Sequence, residues 1–164
     1  MGSSNLGKYH LWAGNESRKQ LRKLNAEEFS QNLGPIIGSI RGKVEHIILA
    51  IESCISRISN DSNSPEEIIN RIRSMSMKEL LKHWEQRDNE IANSLQQTAR
   101  KTITIKRMDG SSFIMSRNDF YLQYVLHTVY HRGQLNYCLK ELNKERIEAD
   151  YLYFFDELNI QQEN

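Results

Sequence analysis

Apolar residues recur at helical spacing in four long stretches of the chain. In the first, Leu6, Tyr9, Ala13, Leu21 and Leu24 share a face with His10 and Ser17, which predicts a helix ending near Lys23. Asn25 with Glu28 has the form of a capping box and predicts a short turn after it. Gly34-Pro35 predicts the start of a second long helix, because proline in a first turn lacks only an N–H that would have no helical partner. Its stripe is Ile40, Val44, Ile47, Ile48, Ile51, Ile55 and Ile58, followed by a polar break at Asn60 to Ser64. Ser64-Pro65-Glu66-Glu67 is a second capping box and predicts a short helix to about Arg73. Ser76 and Glu79 form a third, which opens a helix through about Thr98. The inward stripe there is Met77, Leu80, Leu81, Trp84, Ile91 and Leu95, with Asp88 in its middle.

The period then changes. Lys101 to Arg107 alternates threonine and isoleucine, Asp109-Gly110 is a tight-turn signal, and Ser111 to Met115 reads as a returning strand. Ser116 with Asp119 caps a last long helix to about Leu142, and the aromatic tail from Asp150 to Leu158 is expected to pack down. The fold class this predicts is all-α. It is a four-helix bundle with crossover connections and a small β-hairpin between the third and fourth main helices. Its 164 residues suit a single domain, 1–164.

Composition removes several classes. Lys+Arg is 22 and Asp+Glu is 21, so the net charge of +1 gives no basis for nucleic-acid binding. The longest apolar runs, such as Ile47 to Ile51, are far too short to span a membrane. No secretory leader is visible, so the expected location is the cytoplasm, with Cys54 and Cys138 reduced. The basic runs Arg18 to Lys23 and Arg100 to Arg107 read as solvated faces.

The chemistry concentrates in the last helix, in His127-Thr128-Val129-Tyr130-His131-Arg132-Gly133-Gln134. The i, i+4 spacing puts His127 and His131 on one face, about 5–6 Å apart at Cβ, where two imidazoles can meet one metal ion. Phe120, Tyr124, Gln134, Leu135, Cys138 and Leu142 share their arc, so the pair points inward. Two buried imidazoles need partners, either a metal or carboxylates and backbone. Arg132 and Gln134 are placed to orient ligands, bind an anion or simply pack. For a third ligand the periodicity is unhelpful. His46 lies off the centre of the isoleucine stripe, His10 is better centred on its helix yet sits among ordinary surface residues, and His83 reads as solvent-facing. Asp88 is a candidate general base or acceptor for a ligand N–H, or else the partner of a structural arginine.

The motifs, taken in order, resemble the DinB/YfiT-like metal-binding four-helix bundle family. The resemblance rests on Tyr9-His10-Leu11-Trp12-Ala13, on Ser39-Ile40 with His46-Ile47, Ala50 and Glu52, on His127 with His131-Arg132-Gly133-Gln134, and on Asp150-Tyr151. It covers nearly the whole chain. It implies a divalent metal, Zn or Ni, held by His46, His127 and His131. It also implies a metal-dependent transferase or hydrolase acting on a small-molecule substrate, with a low-molecular-weight thiol as cosubstrate. The alternative is a non-catalytic metal-binding or stress-linked interaction bundle. The wide isoleucine arc of the second helix and the aromatic tail further predict a homodimer.

Overall fold

Side chains reaching back to the backbone set most of the helix starts. The computed structural model describes residues 3–59, 64–96, 102–106 and 109–162. Helix α1 (Ser3–Leu21) is followed by the short α2 (Ala26–Ser30), where Asn25 Oδ1 accepts from the Glu28 N–H and Glu28 Oε2 from the Asn25 N–H. The next helix starts later than Gly34-Pro35 predicts. Gly34 (φ +112°) and Gly38 (φ +73°) take left-handed conformations that a right-handed helix does not admit. Helix α3 (Ile40–Ser59) therefore begins beyond them, with Ser39 Oγ accepting from the Gly42 N–H at 3.0 Å.

Ser64 and Glu67 form the expected reciprocal cap of α4 (Pro65–Ser74), and Ser76 and Glu79 that of α5 (Met77–Gln96). The expected end at Thr98 lies outside the described residues. Strands β1 (Thr102–Lys106) and β2 (Ser112–Ser116) pair antiparallel, with Ile105 opposite Phe113. The Ser116 hydroxyl then accepts from the Asp119 N–H to start α6 (Arg117–Glu141). Asn143, at φ +54°, ends it, and Lys144 N–H reaches back to the Leu139 carbonyl at 2.8 Å, which closes the last turn. The aromatic tail is helical, α7 (Tyr151–Gln162).

The four main helices are α1, α3, α5 and α6. α1 packs mainly on α5, α5 on α3, and α3 on α6, so α1 and α3 sit diagonally. Successive main helices are therefore not all neighbours, and the crossover bundle with its hairpin is the observed architecture. Ile40, Val44, Ile47, Ile48 and Ile51 of α3 are fully buried against Leu80, Trp84 and Ile91 of α5 and Tyr121, Leu135 and Cys138 of α6. The Cys54, Ile58 and Leu95 side chains lie outside the described residues. Among the described residues, the isoleucine arc is absorbed within one chain, with Ile55 partly buried at its end. Its breadth serves two neighbours, α5 and α6, at once. The tail packs down only in part: Phe154 is buried against Tyr9 and Ala13, while Leu152, Tyr153 and Phe155 are exposed. Among the described residues, no helix is long and apolar enough to cross a membrane.

A buried polar cluster pins α1 to α5. Asp88 accepts from Arg18 Nη1 at 2.5 Å and Trp84 Nε1 at 3.1 Å, and lies 2.9 Å from His10 Nε2. Arg18 and His10 are both buried, His10 on the apolar face that its spacing gave it and Arg18 against the expectation of a solvated run. Charged residues repeat on α1 without regard to face, and only the position of Asp88 across the seam draws Arg18 inward. A second cluster joins α3 to α4 and α5 through buried Glu52, which receives Arg71 Nη2 at 3.0 Å and meets His83 Nε2 at 2.7 Å. His83 is therefore buried and partnered rather than solvent-facing.

The α1–α5 approach requires a glycine: a Cβ at Gly14 would collide with Asp88 Oδ2 and press on Arg18. Gly14→Ala is expected to destabilise the fold by about 1–3 kcal/mol through overpacking. Gly42→Ala, whose methyl would meet only Ser39 Oγ at 3.4 Å, is the control. Thermal melts of the two variants check this, and equal melting temperatures would count against the contact.

Candidate metal centre

The seam between α3 and α6 places three imidazoles together. The isoleucines of α3 turn their faces to the core, which leaves His46 at the edge of the stripe and exposed to solvent. One face of α6 presents His127, half-buried, and His131, which is 7% exposed. One ligand nitrogen from each of the three lies within 4.8 Å of the other two. Ring centroids are 4.5 Å apart for His46 and His131, 4.4 Å for His127 and His131, and 5.4 Å for His46 and His127.

Nitrogen positions decide what the cluster can do. The two Nε2 atoms of His127 and His131 are 3.1 Å apart. Tetrahedral zinc with Zn–N bonds near 2.0–2.1 Å requires ligand nitrogens about 3.3 Å apart. His131 Nδ1 lies 2.8 Å from Gln134 Oε1, an acceptor, so it carries the proton and leaves the Nε2 lone pair free. Burial holds the His127 pKa below the ordinary histidine value, and the charge of nearby His46 adds to this. Burial likewise depresses that of His131; the Gln134 hydrogen bond works against it, while His127, His46 and Lys43 add to it. All these effects except the Gln134 bond favour neutral imidazoles, the form that ligates metal. The donor set, spacing and tautomer therefore fit a divalent ion, with three protein ligands.

The predicted residues divide clearly. His46, His127 and His131 come together, and Gln134 orients His131. Asp88 is not part of that group; its oxygens are engaged by Arg18, His10 and Trp84 at the α1–α5 seam. Arg132 lies on another flank of α6, over the Tyr9 ring. Lys43 escaped the sequence reading although its charge acts on His131. Its position three residues before His46 on α3 was the available signal, because i, i+3 residues share a helix face.

The DinB family model matches residues 1–163. The chain belongs to the DinB family. A search of curated proteins finds no match for it. In this DinB protein the family resemblance and the geometry meet at the same three histidines. The helical bundle supplies two of them from one turn of α6 and the third from the helix packed beside it.

Two roles for Asp88 are separable by experiment. Asp88→Asn leaves Arg18 buried without its counter-charge and is expected to cost about 3 kcal/mol or more. The metal content of the folded variant should match wild type, because the three histidines are untouched. Chemical denaturation with elemental analysis checks both parts. Loss of metal at unchanged stability would place Asp88 in the service of the metal centre.

Proposed function

We propose that this DinB protein is a metal-dependent transferase or hydrolase of small molecules, with a divalent ion, Zn or Ni, held by His46, His127 and His131. The convergence of the three imidazole nitrogens carries this reading. An ion so held would lower the pKa of bound water or a thiol and supply a nucleophile near neutral pH. The chain's own residues do the rest. Gln134 holds the His131 tautomer. Exposure of His46 leaves the site facing solvent, as exchange of a substrate or thiol requires. Lys43, half-buried next to the cluster, biases the approach toward anions such as a thiolate or carboxylate. The reaction takes place in the cytoplasm on this reading, without nucleic acid or a membrane.

Metal binding should be one ion per chain, abolished by His131→Ala or His127→Ala and weakened by His46→Ala. Elemental analysis after equilibrium dialysis measures this, and full retention in either α6 variant would rule the site out. Cobalt substitution adds the chemical test. A low-molecular-weight thiol entering the open position should produce a sulfur-to-cobalt charge-transfer band, and no spectral change would count against thiol use. Chelation should lower the melting temperature yet leave the helical circular dichroism largely intact, because the isoleucine core is independent of the ion. Collapse to a coil spectrum would make the metal structural.

A second reading, a non-catalytic interaction bundle, is favoured by one observation. Tyr130 and Tyr137 on α6 and Leu152 and Phe155 on α7 are exposed together with Leu126. Exposed apolar residues of this kind suit contact with a second copy of the chain, and a two-fold pairing would bury those on one face. The homodimer is compatible with either reading, and each chain keeps its own three histidines. Light scattering over a dilution series should show dissociation from the dimer, with Tyr130→Glu shifting it toward 19.3 kDa. A monomer mass at every micromolar concentration would refute the pairing.

A further inference from the structure

Arg132 is the one polar side chain of the HRGQ motif that the metal centre does not use. It is 4% exposed, and its Nη1 finds no hydrogen-bond partner in the structure. Its other contacts are weak: Nη2 stands 3.5 Å from the Tyr9 hydroxyl, and the guanidinium carbon is 5.8 Å from the centre of the Tyr9 ring. The Tyr9 hydroxyl already donates to the Ala149 carbonyl at 3.0 Å. Among the described residues, no carboxylate lies within ion-pair distance of Arg132. A guanidinium cannot shed its charge, so this is a buried cation without a counter-ion, a costly state.

Arg132 stands in the wall of a groove of about 660 Å³ between α6, the α1 N-terminal half and the segment leading into α7. Leu122, Val125, Leu126 and Val129 supply an apolar wall. Arg146, Glu148 and Asp150 also line it, all three exposed to solvent: Glu148 pairs with Arg146, and Asp150 Oδ1 accepts from the Leu152 N–H. The cavity is of ordinary size for a small-ligand site, and Arg132 is the one buried charge in its lining.

We propose that this groove is a second ligand site, separate from the metal centre, for a small organic carboxylate with an apolar body. The carboxylate meets the Arg132 guanidinium, whose donor fork matches it, and the body lies on the α6 wall. The neighbouring acids select a single negative charge over a doubly charged phosphate. This inference does not depend on the metal reading.

Calorimetric titration of the full chain with the series butyrate, hexanoate, octanoate tests it. We expect saturable binding of one molecule per chain, tightening about fourfold per added methylene. The neutral analogue 1-octanol should bind at least tenfold more weakly than octanoate. Arg132→Met should weaken octanoate at least tenfold. Val129 is 41% exposed, so Val129→Asp should fold and weaken octanoate similarly by repulsion at the groove wall. Absence of saturable binding at millimolar octanoate, equal binding of octanol, or wild-type affinity in Val129→Asp would overturn the proposal. Inorganic phosphate binding as tightly as octanoate would overturn the carboxylate class. Octanoate affinity that vanishes as the chain self-associates would assign the groove to a second copy instead.

Discussion

The packing of α3 against α6 is the contact on which the rest of this molecule depends. A stripe of fully buried isoleucines on α3 fills the space against Leu135 and Cys138 of α6 and Trp84 of α5. That apolar seam fixes the rotation of α3, and the rotation puts His46 at the edge of the stripe, within reach of the two α6 histidines. The three-histidine cluster is a by-product of core packing in this sense: close-packed hydrocarbon positions three polar rings that have no strong attraction for one another. It also explains why the site lies at the rim of the core, where one imidazole is exposed and one buried.

Charge does a different job in the two other seams. Asp88 with Arg18 and His10 joins α1 to α5, and Glu52 with Arg71 and His83 joins α3 to α4 and α5. Apolar stripes allow some sliding along a seam, whereas a buried carboxylate surrounded by donors is satisfied in one register only. Breaking such a cluster is far worse than never having built it, since a lone buried charge remains. Gly14 completes the arrangement by letting the Asp88 carboxylate lie directly against the α1 backbone.

Helix α6 meets a different demand on each flank. The inward arc carries His127, His131 and Gln134 together with Leu135 and Cys138, which go into the core, and Tyr121 joins the core beside it. Another flank, with Val125 and Arg132, borders the groove beside α1 and α7. Its outer arc exposes Leu126, Tyr130 and Tyr137. A helix used on all sides shows little contrast between faces, and for such a helix periodicity alone does not assign directions.

Helix starts, the hairpin and the core stripes were legible in the chain because their causes are local. A serine or asparagine three residues before a glutamate, an Asp-Gly between alternating strands, and isoleucines at helical spacing act over a few residues. The i, i+4 pair His127 and His131 was legible for the same reason. The late start of α3 was missed because the left-handed glycines Gly34 and Gly38 outweighed the proline signal beside them. His46 was placed by resemblance and not by its wheel position; Arg18 and His83 were misread as surface residues. The burial of Arg18, His10 and His83 depends on a partner 31 or more residues away, as Arg18 does on Asp88 and His83 on Glu52. Local patterning decided which residues form helices; only the packed bundle decided which polar side chains are buried, because burial of a charge is set by the partner it finds across a seam.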